Sequence, residues 1–473
     1  MKVLADPAAS PGAREGFPGQ GRIPFRLRIG VIGHRVLPEG GDLAEAVSAA
    51  IDLAISTSGY PKDGLPSTPL RLTAVSSLAE GADRLVANEI LQRNIAENKL
   101  VCVLPVSDTE ENLNVYRADF TSEESVKEFD ELYKSAWQRL QPPDDLVPAE
   151  ATPQEKRDAG YQHAGRLVAL NSDVVIIIWD GKPFRGTGGT ADTVHWMRER
   201  DIGNPDSDGP TEAPPKQARK GLAALFGPSA PDEASLEAQG PLRIIINTSG
   251  GYTPVLDKEW PYAETAEAAR KRITEDLDKL DEFNRKSYPP ANWERSVAQM
   301  MDDLAPARYR EQPRLNRIIE QIAPYLNRAD QMAKHAQHGF RLSSYLFFAS
   351  TALATIVAAI EAVVFPHLWE LTIGELALLI ASVGIVRAEQ AWRNNNKHWF
   401  VYRFLAERLR SASYLLAVGI TPETGFDIGG TTEDPTQNRW VRRAFTGVLG
   451  EGDSRQQDIS EDLETLNSLI RSH

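Results

Sequence analysis

The sequence predicts an α/β domain with a doubly wound parallel sheet over residues 25–255, followed by an α-helical domain with a two-helix transmembrane hairpin. Three observations predict this. Short apolar strands alternate with helical segments through the first half of the chain. The run Val174 to Ile178 is continuously β-branched, the pattern of a strand buried on both faces. Leu342 to Val364 and Leu368 to Val386 are long apolar stretches separated by a proline and flanked by basic residues.

Taken in order, residues 1–24 hold Pro, Gly and Ala but no apolar h-region, and read as a disordered arm, not a signal peptide. Arg26 to Gly33 is a first strand, and Gly33-His34-Arg35 turns out of it. Asp42 to Ser56 has helical spacing. Leu70 to Val75 is a second strand, running into Ser76-Ser77-Leu78-Ala79-Glu80-Gly81-Ala82-Asp83-Arg84 and a helix from Ala82 to Ile95. Leu100 to Leu104 is a third strand, and acidic helical segments occupy 107–141. After a loop from Pro142 to Pro153, a helix from Gln154 to Leu170 leads into the central strand. Residues 201–240 are rich in Pro, Gly, Asp and Ser and read as a mobile insertion. Leu242 to Asn247 is one more strand, closing the sheet.

Ligands in such sheets bind at the carboxyl ends of the strands, where all three candidate loops lie. The third loop, Gly181 to Gly189, is the richest in glycine, with Gly186, Gly188 and Gly189 ahead of a helix starting at Thr190. Glycine lets a ligand approach the backbone, and the free N–H groups of a first helical turn attract phosphate. The alternative is a βα loop whose glycines serve tight turning.

A formal net charge of −14 argues against general nucleic-acid binding. The one cysteine, Cys102, excludes an intramolecular disulfide and lies in an apolar run as a small core residue. No His, Cys or carboxylate cluster has metal-ligand spacing, so no metal site is expected.

Residues 256–338 read as a charged helical linker and oligomerisation region, 339–420 as the membrane module and 421–473 as a tail. Leu342 to Val364 has about 23 residues and one charge, Glu361; about 20 apolar residues cross a bilayer. Pro366 breaks the run, and the second span carries Glu370 and Glu375. Basic residues flank both outer ends (Arg328, Lys334 and Arg341; Arg387, Arg393, Lys397 and Arg403), and the connection has none. The positive-inside rule then gives a hairpin with both ends cytoplasmic. The alternative is a buried helical hairpin in a soluble domain. Glu361 and Glu375 would lie toward the outer leaflet, facing water, a partner subunit or a pore, or simply the headgroups. Ala388 to Ala417 reads as one amphipathic helix, residues 421–453 as loop and 455–471 as a short terminal helix.

The three strand-end motifs together resemble the SLOG superfamily, a Rossmann-like group that includes DprA/Smf and LOG proteins. Ile29-Gly30-Val31-Ile32-Gly33-His34-Arg35 is similar to its opening strand and turn. Ser76-Ser77-Leu78-Ala79-Glu80-Gly81-Ala82-Asp83 is similar to the DprA-type second motif, and Gly186-Thr187-Gly188-Gly189-Thr190 to the LOG-type glycine loop. The stretch 325–420, with its lead-in Ala329 to Arg341, its hairpin and Trp399-Phe400-Val401-Tyr402-Arg403, resembles the SLATT domain, a two-span membrane module of bacterial conflict systems. The resemblance implies a cytoplasmic sensor for a nucleotide-derived ligand, ADP-ribose-like or a cyclic nucleotide, with no other cofactor. It further implies a homo-oligomeric effector at the bacterial inner membrane, in antiphage defence.

LOG enzymes cleave the N-glycosidic bond of nucleoside monophosphates with a Glu three residues after the Gly-Thr pair. Here that position is Thr193, whose hydroxyl cannot replace a carboxylate. Asp192 is one residue away and turned about 100° on a helix, so hydrolase activity is in doubt, with Asp192 or Glu80 as substitutes. For a sensor, the amides from Gly188 to Thr190 could hold a phosphate, with Arg35 and Arg84 neutralising it. Asp83, Asp180 or Asp192 could accept ribose hydroxyls. Gly33, His34, Ser77, Leu78, Glu80 and Gly81 complete the candidate site.

Overall fold

The computed structural model describes residues 21–38, 42–143, 146–148, 150–182, 189–201, 240–257, 262–286, 293–305, 313–364, 368–389, 395–417 and 439–451. They cluster into two compact units: a sheet unit within Ile23–Arg285 and Glu423–Arg455, and a helical unit whose body lies within Lys286–Pro422.

The sheet unit contains β1 (Phe25–Gly33), α1 (Asp42–Thr57), β2 (Leu70–Ser76), α2 (Ala82–Gln92), β3 (Lys99–Val103), α3 (Glu110–Arg117), α4 (Glu123–Ser135) and β4 (Gln138–Leu140). It continues through α5 (Pro153–Leu170), β5 (Val174–Trp179), α6 (Thr190–Asp201), β6 (Leu242–Asn247), β7 (Pro254–Leu256) and α7 (Tyr262–Arg285), and takes in α12 (Arg439–Leu449). Among the described residues the sheet has seven strands in the order β4-β3-β2-β1-β5-β6-β7. All neighbours run parallel except β6 and β7. The chain steps outward from β1 to β4, then returns to the other side of β1 for β5. That reversal opens a crevice at the carboxyl ends of β1 and β5.

Alternation along the strands divides the core. Ile32, Val75, Val101, Val175 and Ile177 pack with Leu167 and Val168 of α5 and Val194 and Met197 of α6. Gly33, one residue after Ile32, points to the other face, where a Cβ would lie 2.4 Å from that of Ala82 at the start of α2. Helices therefore cover both faces, and Val174 to Ile178 are completely buried. Each such side chain contributes roughly 1.5–3 kcal/mol by leaving water. Helix α5 begins with a full capping box between Thr152 and Glu155 and a proline in its first turn. It runs antiparallel to the strands, so its first half lies at their carboxyl ends.

Several elements differ from the sequence reading. The segment 107–141 holds β4 as well as helices, and β7 adds an antiparallel edge beyond β6, so β6 does not close the sheet. Both strands have three residues, too few to show a period. Residues 421–453 contain α12, whose Trp440, Val441, Ala444, Phe445 and Val448 are buried at helical spacing. Helix α7, read as linker, clusters with the sheet.

The helical unit holds α8 (Trp293–Leu304), α9 (Pro313–Val363), α10 (Trp369–Ala388) and α11 (Asn395–Ala417). Of the stretch read as one helix from Ala388 to Ala417, α11 covers Asn395–Ala417, and residues 390–394 lie outside the described residues. Helix α9 has 51 residues, about 75 Å at 1.5 Å per residue. Its first half packs on α8 and α11, and Ile322, Leu326, Ala329 and Ala333 of α9 and Leu405, Leu409 and Ala412 of α11 are buried. Arg403 pairs with Asp330 at 3.1 Å across that contact. Its second half packs antiparallel on α10 through Ser343 with Glu389 (3.0 Å) and Ser350 with Ser382 (2.7 Å). There the outward side chains are apolar and exposed, including Tyr345, Phe348 and Ile356 on α9 and Ile373, Leu376 and Ile380 on α10. Both helices are long and apolar enough to span a membrane, and only 6 % of each apolar window is buried. Glu361 is half-buried and accepts the Thr372 hydroxyl; Glu375 is also half-buried.

Candidate functional site

A cavity of about 520 Å³ opens at the carboxyl ends of β1, β2 and β5. It collects Gly33, His34 and Arg35 after β1, Ser77, Ala79 and Asp83 after β2, and Asp180 and Lys182 after β5. Gly189, Thr190 and Thr193 at the start of α6 and Arg157 and Tyr161 of α5 complete it. This is the switch point of the sheet, where the two series of crossovers diverge.

The turn after β1 braces the site. The His34 amide donates to Ile178 O and the Ala82 amide to His34 O, each at 3.1 Å. The Asp180 amide donates to His34 Nε2 at 3.1 Å, and Asp180 Oδ1 lies 3.2 Å from the same nitrogen. Asp180 also accepts from the Lys182 ammonium (3.0 Å) and amide (3.1 Å). The Lys182 contacts hold the Asp180 carboxyl well below the usual carboxylate range.

The turn after β2 is strained. Leu78 is fully buried with φ of 58°, a left-handed conformation that costs roughly 1–2 kcal/mol outside glycine. Ser76 Oγ accepts the Leu78 amide at 3.0 Å, and Arg84 Nε donates to Leu78 O at 2.9 Å. Gly81 has φ of 79°, and a Cβ there would lie 2.3 Å from Arg35 O. Asp83 is buried and accepts the Ala79 amide at 3.3 Å. Burial pushes its carboxyl up to about 7, against the pull of that amide, Ser76 and Arg35.

On the third side, Asp119 gathers Arg157 and the Tyr161 hydroxyl, with Arg35 at 3.8 Å. Arg35 also stacks over the Tyr161 ring at 5.1 Å. Burial, then the bond to Asp119, pushes the Tyr161 hydroxyl up to about 12. Cations and carboxylates thus alternate around the cavity. The first-turn amides of α6 offer a phosphate its donors, and Asp83 and Asp180 stand near as partners for hydroxyls.

The remaining candidates lie outside this lining. Arg84 is buried and its guanidinium is taken up by Leu78 O, Ser125 O and Oγ, and Glu128. Glu80 accepts from Thr121 and Ser125. Asp192 accepts Gln162 Nε2 at 3.2 Å, and Leu78 and Gly81 shape the turn from behind. Gly186 and Gly188 lie outside the described residues. Among the described residues no group of three His, Cys, Asp or Glu is placed to hold a metal. Sequence reasoning missed Arg157, Tyr161 and Lys182. The i, i+4 pair Arg157–Tyr161 on the helix preceding the central strand was the available signal, since that half of the helix must sit at the strand ends. Comparisons of the chain with protein families, curated proteins and solved structures found no match.

Proposed function

We propose that the chain is a sensor–effector: a Rossmann-like, SLOG-type domain binds a nucleotide-derived ligand, and a SLATT-type hairpin of α9 and α10 acts on the bacterial inner membrane. The observation that carries the reading is one crevice at the sheet's switch point combining α6 first-turn amides with Arg35, Arg157 and Lys182 and with Asp83 and Asp180. Its volume of about 520 Å³ falls in the range that holds small organic ligands, roughly 300–1,000 Å³. The exposed apolar faces of α9 and α10 support insertion in lipid. Two spans are too few to enclose a water path, so conduction calls for a homo-oligomer. Rings of Glu361 or Glu375 at its mouth would favour cations. The termini and nucleotide domain are cytoplasmic in this reading, and the role is antiphage defence.

The test is mass spectrometry of small molecules released from the purified full chain, followed by calorimetry with the nucleotide found. Binding that Gly189→Val abolishes supports the reading; binding that ignores it removes the α6 turn from the site.

One observation favours a second reading, a membrane-anchored nucleotide N-glycosidase. Asp83 and Asp180 line the same cavity with their carboxyls shifted in opposite directions, the pattern of an acid and a base. Thr193, at the LOG glutamate's position, donates to Gly189 O and supplies no carboxylate. Catalytic release of base from nucleoside monophosphates would favour the enzyme.

A further inference from the structure

The opposite end of the same sheet holds a second cavity, of about 200 Å³, lined by seven arginines. They converge from four elements that are distant in sequence: Arg26 and Arg28 from β1, Arg243 from β6, Arg272 from α7, and three more from α12. The α12 contribution, Arg439, Arg442 and Arg443, occupies one and a half turns of a helix whose other residues are mostly buried. Strand residues Arg26 and Arg243 are almost fully buried, at 2 % and 1 % exposure.

The lining carries one carboxylate, Asp173, and two arginines already share it. Arg443 meets it through both Nη atoms at 2.8 Å, and Arg28 Nη2 lies at 3.1 Å. Behind the wall, Asp276 takes Arg439 at 2.8 Å and Arg443 at 3.4 Å. Arg243 pairs with Asp257 at 3.0 Å and Arg26 with Glu451 at 3.1 Å. The arginines of the lining still outnumber these carboxylates, and the excess positive charge around the void is unfavourable unless an anion occupies it. Burial, then Arg439, pushes the Arg272 guanidinium down to about 10, which leaves it charged at neutral pH and in a positive field. Arginines reaching the lining from several elements suit the oxygens of a phosphate, each of which accepts charge-assisted bonds.

We propose that this cavity is a second ligand site, taking a compact phosphate anion of orthophosphate to diphosphate size. The volume argues for a small anion: about 200 Å³ lies below the roughly 300–1,000 Å³ of sites for larger organic ligands. The site belongs to the amino-terminal ends of β1, β5 and β6, so it is separate from the crevice at their carboxyl ends. An anion there draws α12 and α7 onto the sheet through shared oxygens.

The test is calorimetry of the detergent-solubilised full chain with sodium pyrophosphate and with sodium phosphate, at constant ionic strength. The expected result is saturable binding of at least one of them. It is weakened tenfold or more by Arg272→Gln combined with Arg442→Gln, and unchanged by Gly189→Val, which acts in the other crevice. Arg442 is half-buried on α12, so Arg442→Gln alone provides a folded variant, checked by circular dichroism, that should bind several-fold more weakly. Absence of binding by both anions overturns the proposal. So does binding that Gly189→Val removes while the arginine variants retain it, which would put the phosphate in the other crevice and leave the nucleotide reading intact.

Discussion

His34 and Asp180 close the tips of β1 and β5 against each other: the Asp180 amide donates to His34 Nε2 at 3.1 Å, and the Asp180 carboxylate lies 3.2 Å from that nitrogen. One imidazole therefore sets the position of Asp180, just past the end of β5. Replacing it leaves a backbone N–H without its acceptor. His34→Leu should weaken nucleotide binding about tenfold, the equivalent of roughly 1.4 kcal/mol for one lost hydrogen bond. Calorimetry checks this, with unchanged far-ultraviolet circular dichroism as the control. Undiminished affinity would mean that the strut does not position the site.

Asp83 makes stability depend on pH in an unusual direction. Its folded pKa, pushed up to about 7, lies above the ordinary 3.8, so the folded state holds the proton more tightly than the unfolded chain. Its contribution is fully present below about pH 4 and is lost as pH rises toward 7. Asp83→Asn keeps the uncharged form at every pH. The variant should gain on the natural protein between pH 5 and 8, by on the order of 3 kcal/mol at most, at about 1.4 kcal/mol per pKa unit. Denaturation at several pH values measures it; parallel curves for the two proteins would contradict the assignment.

Gly81→Ala tests the turn behind the crevice. The added Cβ would meet Arg35 O at 2.3 Å in a backbone region already closed to alanine, with φ of 79°. A loss of roughly 2–4 kcal/mol is expected. Arg84→Gln should act on the same turn, lowering the melting temperature because Leu78 O and Ser125 O lose their donor. A binding defect in Arg84→Gln at full stability would return that residue to the site.

The β-branched run of β5 and the strand–helix alternation made the parallel sheet legible in the sequence, because burial on both faces leaves a compositional mark. The three strand ends were legible too, since a switch-point crevice follows from strand order. What each side chain does there was not. Arg84 and Glu80 sit beside the right motif, yet a helix turn aims them at Ser125, on α4, about forty residues on. Arg157 and Tyr161 enter from a helix whose tilt only packing decides. Strands β4 and β7 escaped because three residues carry no period, and α12 because its approach to β1 is a tertiary matter.

Membrane topology has a direct test. Cys102 is fully buried, so new cysteines can be read against it. In intact cells, Leu368→Cys should react with an impermeant thiol reagent added from the periplasmic side, and Gln337→Cys should not. Labelling of both positions would mean that α9 and α10 do not span.

Ion flux through liposomes containing the full chain, with and without the cognate nucleotide, tests the central claim most directly. A ligand shifts an equilibrium only by its differential affinity for the two states, so flux must follow occupancy of the crevice. The account predicts flux that rises with nucleotide, is absent in Gly189→Val, and changes cation selectivity in Glu361→Gln or Glu375→Gln. Flux independent of the nucleotide, or none at saturating nucleotide, would contradict it.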